Sequence, residues 1–151
     1  MKKIITILFS ICLTWGFIIG QNKKSIEEIK SEMEKQYIPF SSQINKQLPI
    51  RVDDVTILTS VVFSNWVMTN YYSVEIDTDG LTENELKTFL DITRNEHKNQ
   101  IPRMISNGDY NFTKNELIEY LKHTGLKFRF VYKDINNKFI GANSFDYSDF
   151  E

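Results

Sequence analysis

The 151-residue sequence predicts an α+β fold, a four-stranded antiparallel sheet in the order α-ββ-α-α-ββ with helices packed on one face. Two observations predict it. Three segments open with a Ser or Thr followed three residues later by Glu, the reciprocal cap that starts a helix, and each leads into apolar residues at helical spacing. Between and after them lie two pairs of runs rich in β-branched and aromatic residues, alternating with period two and each pair broken by a short turn.

The amino terminus has the three parts of a secretory signal. Met1-Lys2-Lys3 precede an uncharged run from Ile4 to Ile19, which closes on Gly20 before polar Gln21-Asn22-Lys23-Lys24. The run is shorter than the roughly 20 apolar residues a spanning helix needs, so cleavage near Gly20 is the expectation and a membrane contact is expected only through an uncleaved segment. The predicted organisation is therefore 1–20 signal peptide, 21–49 N-terminal helix and linker, and 50–151 an α+β domain packed with that helix. Cys12, the single cysteine, would leave with the signal, so the exported body would have no disulfide and would depend on a hydrophobic core. Without Lys2 and Lys3 the count is 16 basic against 20 acidic residues, a net charge near −4, which argues against nucleic acid or an anionic membrane surface as the main partner.

The first helix starts at the Ser25 and Glu28 cap, carries Ile26, Ile29, Met33 and Tyr37 on one stripe, and is expected to stop before Pro39, leaving Tyr37 to Pro49 as linker. Val55 to Phe63 and Trp66 to Ile76 read as strands around a Ser64-Asn65 turn. In the second of them Trp66, Met68, Tyr72, Val74 and Ile76 share a face, interrupted by Asn70. The second helix starts at Thr82 with Glu85, carries Leu86, Phe89, Leu90 and Thr93, and is interrupted or kinked at Pro102, with Met104 and Ile105 on a further turn ending near Gly108. The third starts at Thr113 with Glu116, carries Leu117, Ile118 and Leu121, and stops at Gly125. Leu126, Phe128, Phe130 and Tyr132 then alternate with Lys127, Arg129 and Val131, and after a turn over Asp134 to Lys138 the strand Phe139 to Phe145 returns.

Known catalytic motifs are absent from the sequence. The scattered glycines form neither a phosphate-cradling loop nor a dinucleotide fingerprint, and no Gly-x-Ser-x-Gly elbow occurs. His97, four residues after Thr93, falls on the inward stripe and reads as packing, while His123 in a last helical turn reads as a dipole partner. Neither has a second histidine at helical spacing, so no zinc site is signalled. Glu75-Ile-Asp77-Thr-Asp79-Gly80 has the oxygen spacing of half a calcium loop, but the twelfth position is Leu86 where a bidentate Glu is needed, so it reads as a strand end and a helix cap. Asp53 and Asp54, adjacent on an extended chain, point to opposite faces and make a poor acid-base pair. Catalytic residues, metal ligands and cofactor are thus all expected to be none.

The remaining candidate is a surface. If the Trp66-Met68-Tyr72 face packs on the helices, Thr69, Tyr71, Ser73 and Glu75, with Lys127, Arg129 and Val131, occupy the other, and Tyr beside Arg is a composition favoured at protein interfaces. Tyr71, Ser73 and Arg129 are the candidate binding residues, and a protein or peptide is the expected partner. The rival is a small exported hydrolase built on carboxylates gathered from distant segments.

The stretch Leu48 to Val61 (LPIRVDDVTILTSV), the pair Tyr71-Tyr72 and the stretch Gly125 to Asp134 (GLKFRFVYKD) resemble a pattern in small exported bacterial proteins of unassigned function. That resemblance implies an exported α+β domain and carries over no catalytic residue.

Overall fold

The computed structural model of the chain describes residues 26–106 and 113–151. The expected signal segment, the Ser25 cap and the stop near Gly108 lie outside the described residues. Helix α1 spans Ile26–Asn45, strand β1 Ile50–Arg51, β2 Thr56–Ser64, β3 Val67–Val74, helix α2 Glu83–Ser106, α3 Lys114–Thr124, β4 Lys127–Lys133 and β5 Phe139–Phe145, followed by a 3-10 turn over Tyr147–Phe150.

The strands form one five-stranded sheet in the order β1-β2-β3-β4-β5. All neighbours are antiparallel except β3 and β4, which run parallel. This corrects the expectation of a four-stranded antiparallel sheet in two respects. A short turn forces the two strands of a hairpin to be antiparallel, whereas the long connection through α2 and α3 brings the chain back to the end where β3 began, so β4 sets out in the same direction. The fifth strand, β1, has two residues, Ile50 and Arg51, paired with Leu58 and Ile57, too few to show any periodicity.

Local chemistry fixes the boundaries. The β2–β3 hairpin turns on Asn65 and Trp66, one residue later than expected, with φ of 51° and 61° at the two central positions, a conformation whose twist matches the flanking strands. Trp66 is held in that left-handed conformation by packing edge-on against Phe63, ring centroids 5.8 Å apart. Helix α2 opens with Thr82 and Glu85 bonding each other's amides, and α3 opens with the same box made by Thr113 and Glu116. Gly125 ends α3 at φ 70°, its N–H donating to the Leu121 carbonyl.

Helix α1 does not stop at Pro39. It continues to Asn45, so most of the expected linker is helix. Pro39 costs one backbone hydrogen bond, but its turn is solvent-exposed, and the residues beyond it repay continuation: Ile44 is buried in the core and Phe40 packs against it. The Asn45 side chain then donates to the Val61 carbonyl at 2.6 Å and accepts from the Val61 N–H at 2.9 Å, completing the β2 edge where β1 no longer covers it. Helix α2 likewise passes through Pro102 to Ser106 as one element, with Ile101 and Ile105 buried on either side of the proline.

The core lies between one face of the sheet and the helices. Leu58 and Val61 of β2, Met68 and Val74 of β3, Phe128, Phe130 and Tyr132 of β4 and Phe145 of β5 point into it, meeting Ile44, Ile101, Leu117 and Leu121. Each such large side chain contributes about 1.5–3 kcal/mol by leaving water. The approach is close at Gly141, where a Cβ would stand 2.5 Å from a methyl of Leu90.

Candidate binding face

The strand register orders the opposite face into rows. Val62, Thr69, Arg129 and Ser144 form one; Ser60, Tyr71, Val131 and Ala142 the next; Ile57, Ser73, Lys133 and Phe139 the third. Lys127 lies beside Val67 and Ser64 in a further row. Rows follow every second residue, about 7 Å apart. The predicted site residues are therefore on one face but in three successive rows: Tyr71 is central, with Arg129 one row to one side and Ser73 one row to the other. Tyr71 and Arg129 are exposed; Ser73 is half-buried, and Val131 between the rows is buried under its neighbours.

The parallel β3–β4 join decides which residues meet. It sets Arg129 beside Thr69 and Lys133 beside Ser73, and the β4–β5 hairpin adds Phe139, 59% exposed, next to Lys133. Lys133 and Phe139 were absent from the predicted set because an alternating pattern assigns faces without saying which strands are neighbours.

Charges on this face are distributed unevenly. Arg51 grips Glu75 with both guanidinium nitrogens, at 2.8 and 2.7 Å, which lowers the Glu75 carboxyl and raises the Arg51 guanidinium. Both partners are exposed, so the pair adds little stability. Lys127 stands 4.0 Å from Asp146. Among the described residues Arg129 and Lys133 have no ion-pair partner.

The other candidates are structural. His97 is buried on the inner side of α2, flat against Phe130 and stacked with Tyr72 and Tyr132. Its Nδ1 faces the Gln100 side-chain oxygen at 3.3 Å and its Nε2 meets the Tyr132 hydroxyl, so the neutral ring donates to Gln100 and accepts from Tyr132. Burial lowers the imidazole to about 4 and pushes the Tyr132 hydroxyl up to about 12. His123 is exposed in the last turn of α3.

The Glu75–Gly80 segment is tied by protein groups. Asp77 accepts from the Asp79 amide, Asp79 pairs with Lys138 at 2.9 Å, and Thr78 donates to buried Asp134 at 2.6 Å. Asp134 also accepts from the amides of Asn136 and Lys138, and these bonds hold its carboxyl below the usual range. The segment thus joins the end of β3 to the β4–β5 turn. Among the described residues no three His, Cys, Asp or Glu side chains are grouped as metal ligands would be. A shallow groove between α1 and β2 is lined by Ile38, Ser41, Asn45, Lys46, Val62 and Phe63 among others.

No family model matches the chain, and no curated protein does. Two solved structures share its fold. One is a Pseudomonas aeruginosa protein named for its expected secretion, with a TM-score of 0.56 and 10% identity, over 86% of this chain and 100% of that one. The other is EpsS, the pilotin of the Vibrio vulnificus type 2 secretion system, with a TM-score of 0.56 and 12% identity, over 83% of this chain and 97% of that one.

Proposed function

We propose that the chain is an exported, non-enzymatic module that binds a protein or peptide through the sheet face its helices leave uncovered. The observation that carries this reading is the face itself: Tyr71 and Phe139 are exposed in adjacent rows, beside an Arg129 that has no ionic partner among the described residues. An antiparallel hairpin can leave one side wet, but tyrosine and arginine are what interfaces concentrate there.

Two further observations support it. The uncharged run behind Lys2 and Lys3 has the composition of a cleavable export signal, and both proteins of shared fold bear names that refer to secretion, one of them a component of a secretion machine. Two buried titratable groups are engaged within the fold. His97 is closed off in the core and Asp134 is committed to Thr78 and two backbone amides.

The test is affinity capture from an envelope extract with the tagged protein and its Tyr71→Ala/Arg129→Ala variant. Loss of one partner in the variant supports the face, and capture unchanged for every partner removes it.

A further inference from the structure

We infer that the uncovered face takes an acidic segment of a protein partner, held by the line of Lys127, Arg129 and Lys133 along β4. This rests on reading that face as the contact surface, and it names the chemistry of the partner.

The argument is one of charge complementarity. The whole chain has more acidic than basic residues, 20 against 18. Its face is nonetheless cationic. Lys127, Arg129 and Lys133 occupy outward positions of β4, and the residues beside them in their rows, Val67, Thr69, Ser73, Ser144 and Phe139, are uncharged. Of the carboxylates at its border Glu75 is engaged by Arg51, and Asp146 stands 4.0 Å from Lys127 and offsets part of its charge, so Arg129 and Lys133 are the stronger of the three cations. On α2 the four acidic residues Glu83, Glu85, Asp91 and Glu96 are balanced by the four basic residues Lys87, Arg94, Lys98 and Arg103. An acidic partner is therefore drawn to the sheet side, whereas α2 offers it no net charge.

Spacing sharpens the class. Along an extended strand two residues span about 7 Å, so Lys127 to Arg129 is about 7 Å and Arg129 to Lys133 about 13 Å. An extended segment lying along β4 repeats its own side chains on one side at the same interval. Acidic residues at positions i, i+2 and i+6 then meet the three cations, and an apolar residue at i+4 lies over Val131 beside the Tyr71 ring. An apolar position set between cations at strand spacing matches a polypeptide, whose side chains recur on one side at that same interval. Arg129 can take a carboxylate with both arms of its guanidinium, so it should matter most.

The test uses the isotope-labelled exported protein and three synthetic peptides, with Glu, Gln or Lys at i, i+2 and i+6 and Leu at i+4. Addition of the Glu peptide is expected to shift the amide resonances of Lys127 to Lys133 and of Tyr71. Its binding should weaken about tenfold from 50 to 300 mM salt and about tenfold in the Arg129→Gln/Lys133→Gln variant, and remain unchanged in Lys87→Gln on α2. A Glu peptide that binds no tighter than the Gln peptide, or shifts only helix resonances, overturns the inference. So does tighter binding of phosphatidylglycerol vesicles or of a single-stranded oligonucleotide that depends on the same two cations. If a partner is captured through Tyr71 while salt and the charge variant leave it bound, the contact face stands and only its acidic specificity falls.

Discussion

The imidazole of His97 lies flat on the ring of Phe130, centroids 3.7 Å apart and planes 7° from parallel. This contact pins the middle of α2 to the centre of the sheet, and its consequence is a pH dependence of stability. His97 has an ordinary value near 6.5 in the unfolded chain and about 4 when folded, because burial disfavours the charged ring. Above pH 6.5 both states are neutral and the full stability is present. As pH falls from 6.5 toward 4 the unfolded state takes up a proton that the native state refuses, so stability declines by about 1.4 kcal/mol per pH unit, about 3 kcal/mol in all. Urea unfolding of the wild type and of His97→Gln at pH 7, 5.5 and 4.5 checks this; the variant should lose markedly less stability across the range. Parallel losses in the two proteins would contradict it.

Asn70 interrupts an otherwise apolar inner face, between Val61 and Phe130 in the register, and its buried amide nitrogen has no hydrogen-bond partner among the described residues. Leucine has the same branched skeleton of side-chain heavy atoms and removes that unsatisfied donor. Asn70→Leu should therefore raise stability, by about 1–2 kcal/mol, read as a higher urea midpoint. A lower midpoint would mean the amide oxygen contributes more than the nitrogen costs.

Asn45 stands in for a missing strand by bonding both backbone groups of Val61. Asn45→Ala should cost about 1–2 kcal/mol, and amide hydrogen exchange at Val61 should accelerate selectively. An exposed β2 edge also invites pairing between molecules, so light scattering on concentration should rise in the variant. Unchanged exchange at Val61 would show that the helix end does not guard this edge.

The export reading predicts a defined mass. Intact-protein mass spectrometry of the native protein should find a chain beginning at Gln21, without Cys12 and without Lys2 and Lys3. A mass that includes Met1 to Gly20 would overturn the expectation of cleavage near Gly20.

Period and caps made much of this fold legible. The Thr82–Glu85 and Thr113–Glu116 boxes formed as their spacing implied, and the alternation in β3 and β4 put Met68, Tyr72, Phe128 and Phe130 inside with Tyr71 and Arg129 outside. What stayed hidden depends on contacts distant in sequence. The parallel β3–β4 pairing follows from where α2 and α3 deliver the chain, and no residue of either strand encodes it. The passage of α1 through Pro39 is a tertiary effect, stabilised by Ile44 in the core and Asn45 on Val61. At the candidate site, Tyr71, Ser73 and Arg129 could be assigned to a common face from alternation alone. The adjacency of Lys133 to Ser73 and of Phe139 to Lys133 required the register.

Site-specific photo-crosslinking tests the central claim most directly. A photoreactive amino acid is placed at Tyr71, at Arg129 or, on the opposite side of the molecule, at Lys87, and the protein is irradiated in the cells that export it. The account predicts adducts of one discrete mass from positions 71 and 129 and none of that mass from position 87. Adducts of that mass from position 87 alone would place the partner on the helices and contradict it.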